Sequence, residues 1–338
     1  MTALTFDLPH GLEADAPPER RDDVRLLVAA RDRLEHTTFA ALADFLQPGD
    51  LVVVNTSATL PAAVDGSRSD GRPVTVHFAT ALDDGGWVVE VRPRHDAIGA
   101  VDDLRSGEPI DLPVGVTLSV QVPHPPGQHR LWRAHVSVEG GVLAYLDRVG
   151  RPIRYGYVHG EFALPAYQTV FARDPGSAEM PSAGRPFTAD LVTDLVTRGI
   201  GIAPVLLHTG VSSQEAGEPP QPERFAVPEA TARQVNMTRA WGNRVVAVGT
   251  TVTRALESAA DSGGVVRARS GWTDLVLGPA RRARVVGGLI TGWHAPGASH
   301  LQLLEAVAGP ALVEHAYAAA LDHDYRWHEF GDSCLLLP

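Results

Sequence analysis

Between residues 62 and 152 the chain keeps to one short pattern. The runs PVTVHFA (73–79), WVVEVRP (87–93), VTLSVQV (116–122) and LWRAHVSV (131–138) are brief and rich in β-branched residues. The clusters DDGG (83–86), HPPGQ (124–128) and EGG (139–141) punctuate them. Such runs bounded by turn residues read as strands. A set of strands with no helix to cover it closes into a small barrel or a sandwich. The flanking sequence is of mixed α/β texture, and 338 residues, 44% of them hydrophobic, exceed what one compact core usually holds. The expected fold is an α/β main domain, discontinuous over residues 1–61 and 153–338, with a small all-β, barrel-like domain inserted at 62–152.

Within the main domain, VRLLVA (24–29), DLVVVN (50–55), IAPVLLH (202–208), RVVAVG (244–249) and RVVGGLIT (284–291) read as strands. Their apolar runs are too short for helices. FAALADFL (39–46) reads as a short amphipathic helix stopped by Pro48 and Gly49. TADLVTDLVTRG (188–199) has helical apolar spacing and a glycine stop, and PEATARQVNMTRAW (228–241) opens on proline. TTVTRALESAA (250–260) and most of 299–322 are also expected to be helical. The polar, proline-rich segment 211–227 is expected to be a loop, with a lid as its use.

Composition removes several classes of function. Cys334 is the only cysteine, so there is no intramolecular disulfide and no thiolate-based metal site. The N-terminus has no basic start followed by an apolar run, and no apolar run reaches about 18 residues. A cytoplasmic protein without a membrane span is expected. The net charge of −11 gives no support to a broad nucleic-acid-binding face.

A strand that ends at Gly249 and feeds a helix through Thr250 and Thr251 exposes backbone N–H donors to an anion or to a nucleotide's polar groups. The same residues also suit an ordinary strand-to-helix turn in which Thr250 or Thr251 caps the helix. Arg254 and Glu257, three apart, share a helix face. His294 follows a strand in LITGWHAPGAS, where acid–base work or a plain loop hydrogen bond is open to it, and His208 ends another strand. The run His315, His323, Asp324, Tyr325, Arg326, His328, Glu329 and Asp332 fits no common metal-ligand spacing. Dinucleotide, P-loop and nucleophile-elbow motifs are absent from the sequence.

Taken in order, FDLP (6–9), RRDDVRLLV (20–28), FLQPGDLVVVN (45–55), AYQTVFA (166–172), PSAGRPFT (181–188), RVVAVGTTVTRALES (244–258), GWTDLVL (271–277), LITGWHAP (289–296) and YRWHEFGDSCLLL (325–337) resemble the S-adenosylmethionine:tRNA ribosyltransferase-isomerase family of queuosine biosynthesis. The resemblance spans nearly the whole chain. It implies a larger α/β domain with a small inserted β-barrel; a monomer is expected. It also implies a transferase-isomerase that uses S-adenosylmethionine as co-substrate, with no metal. The ribosyl group would pass to a 7-aminomethyl-7-deazaguanine base in the tRNA anticodon region, giving epoxyqueuosine and releasing adenine and methionine.

The chain departs from the family pattern in places. Thr56-Ser57-Ala58 replaces Asp-Thr-Arg after Asn55, and Pro61-Ala62-Ala63 replaces Pro-Ala-Arg. Gly184-Arg185-Pro186-Phe187-Thr188 lacks a histidine, and Gly297 stands at a lysine position. Glu223 is the one match to the acid of a His-rich block. The retained residues imply a site in which Gly249, Thr250, Thr251 and Arg254 bind the co-substrate. Glu257 or Asp332 would meet its positive or ribose groups, and His294 would move a proton. The departures keep two alternatives in play: an S-adenosylmethionine-dependent enzyme acting on a small-molecule acceptor, and a non-catalytic ligand-binding homologue.

Overall fold

Val52 and Val54 face one side of a sheet and Leu51 and Val53 the other, and all four are buried. That double burial is why an uninterrupted apolar run here becomes a central strand. In the computed structural model, which describes residues 4–94, 99–211 and 221–338, this run is β3 (Leu51–Asn55). It is preceded by β1 (Arg25–Ala30) and β2 (Arg33–Thr38) and followed by β4 (Ser57–Thr59).

The inserted module comprises β5 (Ala63–Arg68), β6 (Pro73–Ala81), β7 (Trp87–Pro93), β8 (Pro109–Leu112), β9 (Val116–Pro123) and β10 (Leu131–Val136). They close into a six-stranded barrel in the order β10-β7-β6-β5-β8-β9, every pairing antiparallel. Val64, Val76, Phe78, Val89, Val91, Ile110, Leu118 and Val120 fill its interior. Helix α1 (Gly141–Val149) lays Tyr145 and Leu146 against the same core.

The chain then returns to the main body through β11 (Asp174–Ser177), α2 (Ala189–Thr197), β12 (Gly201–Leu207), β13 (Glu223–Val227), α3 (Glu229–Ala240), β14 (Val245–Val248), α4 (Gly249–Ser258), β15 (Arg269–Thr273), β16 (Gly288–Gly292), α5 (Ser299–Ala308), α6 (Pro310–Asp322) and β17 (Ser333–Leu337). Nine strands form one mixed sheet in the order β15-β13-β12-β3-β14-β16-β17-β1-β2. Its centre, β12-β3-β14-β16, is parallel. Helices α3 to α6 cover one face; α2 and the 3-10 turn Phe39–Phe45 cover the other. The fold is therefore the expected α/β body carrying a closed all-β barrel.

Two local expectations are corrected. The strand expected over 284–291 forms only at Gly288–Gly292, because the backbone N–H groups of Arg284, Val285 and Val286 turn onto the Glu257 carboxylate instead of a neighbouring strand. Of the segment expected to be a loop over 211–227, Glu223–Val227 is strand β13, with β12 and β15 on its two sides. Residues 212–220, and with them the lid expectation, lie outside the described residues. Among the described residues no helix is long and apolar enough to cross a membrane.

Candidate active site

Because β12, β3, β14 and β16 run parallel, their C-terminal ends emerge along one edge of the sheet. A ligand crevice belongs at that edge in open α/β sheets. A cavity of about 450 Å³ lies there, roofed by the barrel residues Ala79, Thr80, Leu82, Val88, His124 and Leu131. Neither module encloses it alone.

The floor is the β14–α4 junction. Gly249 opens the helix with φ +90°, a conformation that glycine adopts without steric cost, and a Cβ there would stand 3.3 Å from that of Ala183. Val248 stands at the N-cap of α4 and no described side chain caps the helix, so Thr250 and Thr251 occupy the first turn rather than the cap, and both line the cavity with Gly249. The first-turn N–H groups of a helix lack intrahelical partners and carry its positive dipole end. Asn55, at the end of β3, ties the neighbouring strands together. Its amide donates to the Leu207 carbonyl at 2.8 Å and to Thr251 Oγ1 at 3.3 Å, and its carbonyl accepts from the Leu207 N–H at 3.0 Å.

Arg254, one turn along α4, also lines the cavity. It forms an ion pair with Glu223 and donates to the carbonyls of Leu275 (3.1 Å) and Thr273 (3.3 Å). Burial lowers its pKa to about 10, so it remains a cation at neutral pH. Glu257 shares the helix but not the site. It is 1% exposed, and its two oxygens accept the N–H groups of Arg284, Val285 and Val286 at 2.8–3.2 Å. Asp332 likewise stands outside the cavity lining. It accepts from Arg25 through N (2.7 Å), Nε (3.0 Å) and Nη2 (2.8 Å) and from the Arg326 N–H at 2.8 Å. The ligand-contacting roles expected of Glu257 and Asp332 are thereby corrected: both carboxylates hold backbone.

His294 does reach the cavity. Its Nε2 is 3.2 Å from Thr291 Oγ1, its backbone N–H donates to the Tyr317 hydroxyl at 3.2 Å, and its ring lies parallel to that of His300 at 4.6 Å. Burial, then His300 and His328, hold the His294 pKa well below the ordinary histidine value; burial and Arg254 bring that of His300 to about 4. Both rings are neutral at physiological pH. His208 does not line the cavity. It bonds Ser57 Oγ at 2.7 Å, and Ser57 in turn lies 2.6 Å from Ser177, so the Thr56-Ser57-Ala58 stretch is knitted by hydroxyls.

Another part of the lining joins His328 and Glu329, noted in the sequence only within a run that fits no metal-ligand spacing, to Tyr155 and Tyr157, which the sequence did not single out. Tyr155, Tyr157 and His328 stack nearly parallel, with centroids 5.7 and 4.3 Å apart, and the Tyr157 hydroxyl donates to Glu329 Oε2 at 2.5 Å. The buried Tyr155 hydroxyl, Gln221 carbonyl oxygen and Trp293 indole N–H, all on lining residues, have no hydrogen-bond partner among the described residues. Among the described residues the lining holds three carboxylates, Glu179, Glu223 and Glu329, against the single guanidinium of Arg254. Such a lining favours a cationic ligand. Among the described residues, no three His, Cys, Asp or Glu side chains converge as metal ligands would.

The sequence model of one protein family, described as queuosine biosynthesis protein, matches residues 1–336. The chain is 38% identical to the S-adenosylmethionine:tRNA ribosyltransferase-isomerase of Moorella thermoacetica over 98% of each chain. It is 36% identical to the protein of that name from Symbiobacterium thermophilum, over 100% of this chain and 99% of the relative. Among solved structures it matches the S-adenosylmethionine tRNA ribosyltransferase of Thermotoga maritima, with a TM-score of 0.56 and 28% identity over 99% of both chains.

Proposed function

The chain belongs to the queuosine biosynthesis protein family, and on that premise we propose that it transfers and isomerises the ribosyl group of S-adenosylmethionine onto the aminomethyl-deazaguanine base of tRNA. Adenine and methionine leave, and an epoxide-bearing nucleoside remains. The observation that carries this reading is the cavity between barrel and sheet, with carboxyl groups on its lining and the first turn of α4 at its floor.

S-adenosylmethionine is a sulfonium with an adjoining amino acid and an adenosine. The carboxylate of Glu179, on the cavity lining, suits the sulfonium or the ammonium. The first turn of α4, at Gly249, Thr250 and Thr251, suits the methionine carboxylate or the ribose hydroxyls. The aromatic wall and the unpartnered polar atoms of Tyr155, Gln221 and Trp293 suit adenine, a flat ring with polar edges. Arg254 holds the strand β13 against the site. His294, neutral and lining the cavity, takes the proton removed next to the sulfonium. The barrel roof keeps the reacting ribose away from bulk water.

A second reading, in which the acceptor is a small molecule, is favoured by the net charge of −11 and by arginines tied to carboxylates, as in Arg72 to Asp70, Arg198 to Asp44 and Arg233 to Glu229. One experiment separates the readings. The protein is incubated with S-adenosylmethionine and tRNA bearing the aminomethyl-deazaguanine base, and released adenine and the modified nucleoside are measured by mass spectrometry. Both products are expected. Ligand binding without the nucleoside, with adenine released on addition of a small-molecule acceptor, would replace tRNA by that acceptor. Binding with no adenine under any condition would leave a non-catalytic homologue.

A further inference from the structure

Adenine is a poor leaving group unless a ring nitrogen is protonated as the glycosidic bond breaks, and neither Glu257 nor Asp332 can deliver that proton from outside the cavity. We infer that Glu329 is the general acid that protonates the departing adenine, with Tyr157 as the residue that positions its carboxyl and stabilises the carboxylate left behind. The inference rests on the reaction proposed above.

The geometry is specific. Glu329 lines the same cavity as the first turn of α4 and His294. The Tyr157 hydroxyl donates to Oε2 at 2.5 Å. The Tyr157 ring cannot swing away, because it is stacked between Tyr155 and His328. His328 is fixed in turn by Glu13, 3.1 Å from its Nε2, and by a left-handed backbone (φ +72°) that non-glycine residues adopt at a cost. Asp332 pins this loop through the Arg326 N–H and through Arg25. Its place in the site is therefore to hold the segment that presents Glu329.

The groups around the Glu329 carboxyl are Tyr157 and Tyr167 from the chain's return to the main body, its neighbour His328, and Glu13 behind that histidine; Arg154 lies near Tyr167, and Arg185 lies over the Phe330 ring. Burial raises the Glu329 pKa above the ordinary glutamate value against the opposing pull of Tyr157, its own backbone N–H and His328. Burial, then Glu329, also raises the Tyr157 phenol far above its ordinary value, so it stays a donor. A carboxyl pushed up and a histidine pushed down in one cavity are the pattern of an acid and a base.

In the step, the Glu329 O–H bond breaks as an N–H bond forms on adenine. The glycosidic C–N bond breaks with its electron pair going to adenine. The resulting carboxylate keeps the Tyr157 hydrogen bond beside the cationic remainder, and a proton from water restores the acid.

The test is Glu329→Gln, which preserves shape and an acceptor for Tyr157. Adenine release is expected to fall by about 10²- to 10⁴-fold, with S-adenosylmethionine binding by calorimetry and the melting temperature nearly unchanged. The rate loss on the alkaline side of the pH profile should vanish with it. An S-adenosylmethionine analogue carrying 8-azaadenine, a better leaving group, should recover most of the loss. Tyr157→Phe removes a bond that favours the carboxylate, so the alkaline limb should move to higher pH; this readout decides the matter if Glu329→Gln does not fold. Adenine release by Glu329→Gln at the wild-type rate, or an equal deficit with both leaving groups, would overturn the role of Glu329 while leaving the proposed reaction standing. A wild-type protein that releases no adenine would overturn the reaction itself.

Discussion

At the scale of single residues, His294 and Glu257 show how burial sorts groups that look alike in sequence. His294 keeps one ring face on His300, a nitrogen at Thr291 and access to the cavity. Its neutrality at physiological pH makes it a proton acceptor. His294→Ala is expected to lower adenine release by about 10²- to 10⁴-fold, read in single-turnover assays, while S-adenosylmethionine affinity changes little. Glu257 is a carboxylate whose acceptors are all taken by backbone N–H groups. Glu257→Ala would strand three of these donors, two of them on the buried residues Val285 and Val286. A loss of about 3 kcal/mol is expected, measured as a lowered urea midpoint, with the catalytic rate of the remaining folded protein close to wild type. A large fall in turnover without loss of stability would return Glu257 to the site.

Among the elements, α4 performs two tasks from its two ends. Its N-terminus faces the ligand space, and Arg254 one turn on reaches across to β13 and to the carbonyls of Thr273, at the end of β15, and Leu275. The Arg254 side chain is 10% exposed and that of Glu223 14%, so truncating one partner leaves the other charge buried. Arg254→Met is expected to cost about 3–5 kcal/mol, followed by chemical denaturation. The double variant Arg254→Met/Glu223→Gln should regain much of that loss, since no charge is then stranded. If the double variant is no more stable than the single one, the pair is not coupled as the geometry indicates.

For the molecule as a whole, the site exists because two modules meet. The barrel turn between β6 and β7 reaches the main body through Asp83, which accepts from the Trp272 indole N–H at 2.8 Å and pairs with Arg224. Several histidines are buried neutral in this assembly: His208, His294 and His300 all have lowered pKa values, chiefly through burial. The unfolded chain binds protons to them from about pH 6.5 downward, whereas the folded protein does so only at lower pH, about 4 for His300. Stability should therefore be fully present above about pH 6.5 and fall as pH drops toward 4. Denaturation midpoints measured across that range check this, and His300→Gln should flatten the slope. An unchanged slope would mean that His300 titrates normally in the folded protein.

Period and punctuation made much of this legible in the chain. Alternating runs between turn clusters predicted the barrel, and short apolar runs separated by amphipathic segments predicted the sheet and its helices, because strand and helix periods are local properties. The β14–α4 turn was visible for the same reason: a strand, a glycine and a helix follow one another within a few residues. Strands β5 and β8 were missed, since AVDGSR and PIDL carry too few apolar residues to signal burial alone. What only the tertiary structure decided was the company each side chain keeps. Glu257 and Asp332 have the composition of ligand-binding acids, yet segments 27 and 307 residues distant in sequence use up their oxygens. Glu329 joins Tyr157 across 172 residues at a cavity wall that no local pattern announces. Periodicity fixes which face of an element is buried; it carries no information about which distant donor will meet a buried carboxylate, and that meeting decides whether the carboxylate binds backbone or reaches a ligand.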